Sequence, residues 1–449
     1  MSTEDRSNKK DTSLPKEPID IILNPLTRFL HVESASGIVL FLATAIALIL
    51  ANSPAGDTFI SFWETKIGFV FGSLEMKLSI QHWINDLLMA IFFFVIGLEV
   101  KRELVIGELS DLKRASLPIA AALGGMIAPA AIYLTLQSGS PGESGWGIPM
   151  ATDIAFVVGC MAILGSRIPN SFRVLILSIA IADDIGAILV IAIGYTAQLD
   201  LYALLWGMFG IIAFVGLMKI GVRNTFVFVV VALFVWYQIY SSGIHATIAG
   251  VIIGFLTPLE SWVSENRLNK IVQNTMKFLQ GEGWQSSGER YQMLRQMERA
   301  TRKSISPLQR FETDLHPWVS FLIMPIFALA NAGVIIQTAY FTDPIAMAII
   351  AGLFIGKPFG IFLFSFLSVK IGIAKLPQGI GWGGIVGGGF LAGIGFTMAL
   401  FIAGLALEGT LLDAAKVGIL VGSILSAIVG VVLLRIILPD RLITKNSGH

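Results

Sequence analysis

The stretch "IADDIGAI" (181–188) places two adjacent carboxylates, Asp183 and Asp184, inside an almost unbroken apolar run. Leu175 to Ile181 leads in with Ser178 as its one polar residue, and Ile185 to Ile193 leads out. An ionised carboxylate at the centre of a membrane helix costs at least about 2.5–3.5 kcal/mol on insertion scales, so the pair calls for a compensating function. The surrounding sequence supports a membrane setting. The chain is 55% hydrophobic and only 14% charged, with a mean hydropathy of +0.78, whereas soluble domains carry about 25% charged residues. Apolar stretches of about 20 residues, long enough to cross a hydrocarbon core, recur along it. The expected fold is an all-α polytopic membrane protein.

About twelve spans can be drawn: 36–52, 84–100, 115–137, 149–164, 173–196, 201–218, 225–240, 244–258, 315–337, 344–368, 383–408 and 413–434. Of the 31 Lys and Arg residues, only Lys66 and Lys77 fall in the loops of one side, and Lys357 and Lys416 fall in or beside spans. All the others lie in the two tails and the alternate loops. By the positive-inside rule both termini and the long loop are cytoplasmic. The chain thus divides into a tail (1–35), spans one to eight (36–258), a cytoplasmic linker (259–314), spans nine to twelve (315–434) and a second tail (435–449). The N-terminal tail lacks the pattern of a signal peptide. Cys160, the single cysteine, cannot form an intrachain disulfide and reads as a packing residue. The net charge of +1 gives no reason to expect nucleic acid.

Two excursions from the membrane pattern stand out. Residues 67–80, "IGFVFGSLEMKLSI", alternate apolar positions around Gly72-Ser73, which predicts an extracytoplasmic β-hairpin; an irregular surface loop is the alternative. A lone hairpin is marginal in water, so its edge is expected to pair with a second copy in a homodimer. The linker 259–311 is charged and partly helical, with an amphipathic pattern around Met293, Leu294 and Met297.

Several polar groups remain at membrane depth: Asp153 in "IPMATDIAF", Asp183, Asp184, Lys357 in "FIGKPFG" and Thr397 in "GIGFTMA". Two spans look broken. Span four carries Pro149 and Thr152-Asp153, and span eleven carries Gly387, Gly388, Gly389, Gly393 and Gly395. Non-helical backbone at this depth is tolerated only in a protein interior or beside a wet cavity. Interrupted spans at matching places in two halves point to a transport site. Spans three to five and ten to twelve are therefore expected to be inverted repeats whose broken helices, four and eleven, cross. Asp153 would balance the positive half-helix ends there and Lys357 the negative ones. Asp183 and Asp184, about 100° apart around their helix, cannot both face one ligand. One would face a cavity while the other turns to a neighbouring helix, with Lys357 as a candidate partner. A carboxylate held between burial and a nearby lysine can titrate near neutral pH, so protons and a hard cation such as Na+ would compete for its oxygens.

At these residues the chain resembles the bacterial NhaA-type Na+/H+ antiporters, a family that also serves as a general example of inverted repeats. The matching stretches are "WINDLLMAIFFFVIGLEVKREL" (83–104), "ATDIAFVVG" (151–159), "IADDIGAI", "SGIHATIAGVIIGF" (242–255), "LHPWVSFLIMPIFALANAG" (315–333), "GKPFGI" (356–361) and "GIGFTMALFIA" (393–403), running in order from about residue 20 to 435. The resemblance implies a secondary transporter in the inner membrane, not an enzyme. It would exchange Na+ or Li+ for more than one proton, electrogenically and under pH control, without a cofactor. It implies Asp184 and Asp183 as the cation- and proton-binding pair, Asp153 and Thr152 as helix-break partners, and Lys357 as a charge at the crossing. It assigns pH sensing to Glu99, Glu103, His245 and Glu312, near the cytoplasmic face or funnel. Two departures bear on the pH profile: Thr313 stands where a histidine is expected beside Glu312, and the linker is longer than usual.

Plainer readings stand beside these. Lys357 would serve equally as a structural ion-pair partner, and Glu99 and Glu103, one turn apart, as a solvated helix end. His245 suits a pH switch or a satisfied core position. His316, before Pro317, is expected to cap or position the start of span nine, and Asn85-Asp86 to cap span two. Two intramembrane aspartates also occur in membrane proteases, but those place one in a Gly-x-Gly-Asp turn. The only Gly-Asp, Gly56-Asp57, lies in a loop with Pro54 in the first glycine's place. A transporter of organic substrates would need a wider polar pocket, and a channel a filter-like repeat.

Overall fold

The computed structural model describes residues 33–71, 74–196, 199–222, 224–280, 287–377 and 379–438. Most of each tail and the Gly72-Ser73 turn lie outside the described residues.

The chain opens with α1 (Glu33–Ala51), bent by 114° from α2 (Gly56–Glu64). The hairpin follows: β1 (Lys66–Phe71) pairs antiparallel with β2 (Leu74–Ser79), in a register that sets Lys66 opposite Ser79 and Phe69 opposite Met76. Next come α3 (Ile80–Val105) and α4 (Leu112–Gln137). A short 3-10 segment, Glu143–Met150, then gives way to three extended residues and α5 (Ile154–Leu164). Beyond it lie α6 (Asn170–Gly194), α7 (Leu201–Ile220), α8 (Thr225–Ser241) and α9 (Thr247–Leu256). The linker forms two helices, α10 (Glu265–Gln280) and α11 (Ser287–Ser304). The last part comprises α12 (Pro307–Asn331), α13 (Pro344–Ile371), α14 (Trp382–Ala392), α15 (Phe396–Ala406) and α16 (Gly409–Ile437).

Among the described residues, eight helices are long and apolar enough to cross a membrane, or ten if each bent pair is one span; α8 and α9 are apolar but shorter. In lipid every backbone polar group must be satisfied internally, which favours continuous helices. Large apolar side chains cover the outside: Ile163, Ile193, Ile220 and Ile436 are each more than 75% exposed. A contiguous apolar surface of this kind is what a lipid-facing bundle presents. This is a multi-pass membrane protein.

Helix starts are set by short polar residues that satisfy the orphan amides of the first turn. Asp111 accepts from Lys113 N, Asp200 from Tyr202 N, Asn224 from Phe226 N and Asp343 from Ile345 N. Two sequence expectations are corrected by the same device. Span two starts at Ile80 under a Ser79 cap, so Asn85 and Asp86 lie inside the helix, in a π-helical turn spanning Ile84–Leu88. Span nine starts at Pro307 under a Ser306 cap that accepts from Gln309 N. His316 is therefore mid-helix and caps nothing, and Pro317 is absorbed just before a second π-helical turn, Val319–Ile323. A sequence window sees where apolarity begins, whereas the helix begins where its amides are capped.

Glycines set the closest helix contacts. A Cβ on Gly360 of α13 would overlap the Gly124 carbonyl of α4, and one on Gly254 of α9 would overlap the Phe94 carbonyl of α3.

Candidate ion-binding site

The site forms where two interrupted segments meet. Thr152 and Asp153 lie at the break before α5, and α14 and α15 are bent by 49° at Gly393–Gly395. The two breaks are joined directly: Asp153 N donates to the Ile394 carbonyl at 2.7 Å. Four broken-helix ends thus gather in the interior, and two side chains answer their partial charges.

Asp153, 1% exposed, serves two helix N-termini. It accepts from Phe156 N of α5 at 3.2 Å and from Thr397 N of α15 at 3.0 Å, and the Thr397 hydroxyl donates to the same Oδ2. Helix N-termini carry partial positive charge, so one carboxylate here satisfies both amides and both dipoles. Lys357 meets the opposite need. Its ammonium donates to the carbonyl of Met150, the last residue of the 3-10 segment, and lies 2.7 Å from Asp183 Oδ2. A π-helical turn, Gly352–Gly356, immediately precedes Lys357 in α13.

The two adjacent aspartates of α6 differ in their surroundings. Asp183 Oδ2 receives Lys357 and lies 2.6 Å from Thr152 Oγ1. That hydroxyl is also 3.0 Å from the Ala392 carbonyl, and its single proton serves one acceptor at a time. Asp183 Oδ1 is buried with no hydrogen-bond partner among the described residues. Asp184 is 4% exposed and accepts no hydrogen bond from the described residues, but it lines a cavity of about 860 Å³. Thr152, Asp153 and Thr397 line its inner end with Asp184. Glu99, Arg102, Glu103, Glu312, Thr313 and His316 line it further out, and Leu259, Ser261, Ser304 and Ser306 of the linker ends border it. With Asp183 matched by Lys357 and Asp153 by two helix ends, ionised Asp184 leaves the inner cavity one negative charge in excess. Carboxylate, hydroxyl and carbonyl oxygens are the donors a hard cation prefers.

Of the residues singled out for pH sensing, three meet at this cavity. Arg102 donates to Glu312 and lies 3.6 Å from Glu103, while Glu103 also accepts from Glu108 N at 3.1 Å. Glu99 lies one turn from Glu103, nearer the aspartates. His245 is elsewhere. Its Nε2 is 2.7 Å from the Tyr195 carbonyl just past the end of α6, and α9 runs from there to Thr257, whose carbonyl takes the Lys101 ammonium near the outer cavity. The structure does not bring His245 to the three glutamates.

Sequence reasoning missed a polar cluster on the other side of α3. Asn85 and Asn331 exchange side-chain hydrogen bonds at 2.8 and 3.1 Å, and Gln81 donates to Asn331 at 3.0 Å. The signal was an asparagine in the apolar stretch "FALANAG", the same kind of polar residue at depth that marked Asp153.

The family described as Na+/H+ antiporter 1 matches residues 27–434 of the chain. The chain belongs to the NhaA Na+/H+ antiporter family. The Na+/H+ antiporter NhaA of Rhodopirellula baltica is 53% identical over 426 residues, covering 95% of this chain and 97% of the relative. The NhaA of Rhizobium meliloti is 47% identical over 435 residues, covering 97% of this chain and all of the relative. Membership in the NhaA family makes this a transporter, and the protease and channel readings fall away.

Proposed function

We propose that this NhaA-family chain exchanges Na+, or Li+, for protons by competition at Asp184. The observation that carries the reading is the asymmetry of the pair: Asp183 is matched by a buried lysine, whereas Asp184 faces the cavity without a cation or hydrogen-bond partner among the described residues. An ion entering the cavity meets one uncompensated carboxylate. A proton or a Na+ neutralises it, and alternating exposure of that carboxylate to the two sides exchanges one for the other.

The finer reading follows the same logic. The three glutamates and Arg102 form a charged vestibule through which pH would set access, and His245 would act from the other end of α9. Protonation at Lys357 or Asp183 as well as at Asp184 would move more than one proton per Na+, making exchange electrogenic and driving sodium out of the cell. The distribution of basic loops supports a topology with both termini and the cavity mouth in the cytoplasm, in an inner membrane crossed twelve times: the eight long helices, with α1, α8, α9 and the α14–α15 pair each counted as one further crossing. The α4–α6 and α13–α16 segments act as inverted repeats about the crossing, and the β1–β2 hairpin joins two copies in a homodimer. No cofactor is needed.

The test is Na+-dependent dissipation of a pH gradient in inside-out vesicles, scanned from about pH 6.5 to 8.5 around the histidine reference value. Wild-type protein should collapse the gradient on Na+ or Li+ addition, and Asp184→Asn should lose the response while remaining folded in the membrane. Wild-type vesicles indifferent to both ions at every pH would overturn the reading in favour of an organic substrate.

A further inference from the structure

The linker between α9 and α12 carries a second cavity that the exchange mechanism does not use. It encloses about 640 Å³ between α10, α11 and the segment leading into them, and is lined by Trp262, Val263, Ile271, Tyr291, Arg295 and Lys303 among others. Arg295, Arg299 and Lys303 recur every fourth residue of α11, so they form one stripe along the cavity wall. Among the described residues, none of the three has a carboxylate within ion-pair distance. Arg295 instead lies over the Tyr291 ring, 5.2 Å from its centre. Gln292 and Gln296 add neutral donors to the same wall. Trp262, 67% exposed, and Tyr291, 58% exposed, stand at its rim, and Met276 of α10 is 52% exposed. Cations that lack carboxylate partners and sit beside exposed aromatic rings match the interface of an anionic bilayer, where arginines meet phosphates and Trp or Tyr rings sit among headgroups.

The position of the linker supports that ligand. Its two ends are tied together at the end of the bundle: Leu308 N donates to the Pro258 carbonyl at 3.1 Å, and Val263 N to the Lys303 carbonyl at 3.2 Å. Pro258 follows directly on α9 and Leu308 opens α12, so the pair of helices is anchored where two membrane helices emerge. The residues next to these ties, Leu259, Glu260, Ser261 and Ser304, border the mouth of the ion cavity.

We propose that this groove binds the phosphate headgroup of an anionic phospholipid from the surrounding leaflet through Arg295, Arg299 and Lys303, with Trp262 and Tyr291 at the acyl-chain boundary. A headgroup held there sits beside Lys303, whose carbonyl ties the linker ends together, and so steadies the border of the ion cavity. That consequence rests on the exchange reading; the binding does not.

The full-length protein, purified in detergent with mixed phosphatidylglycerol and phosphatidylcholine, would be compared with the R295Q/R299Q/K303Q variant by counting lipids retained per chain. Lys and Arg near an anionic surface are each worth about a fivefold change in affinity, so the variant should lose retained phosphatidylglycerol while keeping the same phosphatidylcholine. Equal phosphatidylglycerol on both proteins overturns the proposal. Complete displacement by millimolar glycerol phosphate also overturns it, because the ligand is then a soluble phosphate. A single change, Arg299→Gln, should give the intermediate count and guards against misfolding of the triple variant. In vesicles, raising the phosphatidylglycerol fraction should change the wild-type exchange rate and leave the variant's unchanged. Lost retention with no change in rate would confine the site to anchoring and overturn its link to the cavity.

Discussion

The Lys357 ammonium lies 2.7 Å from Asp183 Oδ2, and the two side chains are 1% and 2% exposed. Both charges have left water, so each depends on the other. Removing one partner of a buried pair typically costs about 3–5 kcal/mol, because the remaining charge is stranded. Lys357→Gln should therefore lower thermal stability in detergent sharply. The double variant Lys357→Gln/Asp183→Asn strands no charge, and its melting temperature should recover most of the loss. A single variant as stable as wild type would show that the two charges are not coupled in the folded protein.

The Asn85–Asn331 exchange ties the π-helical turn of α3 to the end of α12. Asn331→Ala leaves Asn85 without its side-chain partner and Gln81 with the Ala330 carbonyl alone, at 3.3 Å, in a half-buried setting, which costs about 1–3 kcal/mol. Asn85→Ala/Asn331→Ala together should cost less than the sum of the two single changes. Additive losses in chemical or thermal melts would mean that the side chains do not act as a pair.

Gly360 tests the helix contact behind the lysine. A Cβ there would meet both the Gly124 carbonyl and the Ala128 side chain, and Gly360 is close to one turn beyond Lys357. Overpacking of this kind costs about 1–3 kcal/mol and shifts backbone. Gly360→Ala should reduce Na+-dependent exchange well below wild type, since moving α13 carries Lys357 away from Met150 and Asp183. Gly404, with nothing within 4 Å of an added Cβ, is the control, and Gly404→Ala should leave exchange unchanged.

The parts legible in the sequence were those with a local signature. Period-two alternation around residues 67–80 predicts the strands now seen at Lys66–Phe71 and Leu74–Ser79. Polar residues at membrane depth and glycine density predict the breaks at 151–153 and 393–395. The division of labour between Asp183 and Asp184 follows from their 100° separation, but which aspartate takes the lysine depends on how α6 is rotated against α13, and no local pattern encodes that. The helices start ahead of Asn85 and His316, at Ile80 and Pro307: hydropathy reports the lipid boundary, whereas Ser79 and Ser306 set the first turns. The resemblance groups His245 with the three glutamates, whereas its ring lies at the Tyr195 carbonyl; which end of α9 meets the cavity is decided by tertiary packing, and no local pattern encodes it.

Asp153 offers the sharpest separation of structure from transport. Its Oδ2 takes both the amide and the hydroxyl of Thr397, and its Oδ1 takes Phe156 N. Asparagine keeps the shape but presents an amide donor to at least one of these donors, and it removes the negative charge facing two helix N-termini. Hydrogen bonds to charged groups are worth about 1.5–3 kcal/mol, so Asp153→Asn should lower stability by an amount of that order. Asp184 remains in place to take Na+ or a proton, so exchange should be weakened and still measurable, with a higher Na+ concentration needed for half the maximal rate. Asp153→Ala, which leaves Thr397 N without any acceptor from this side chain, should be less stable than Asp153→Asn. Full loss of exchange in Asp153→Asn at wild-type stability would place this carboxylate among the ion ligands and not among the groups that hold the broken helices together.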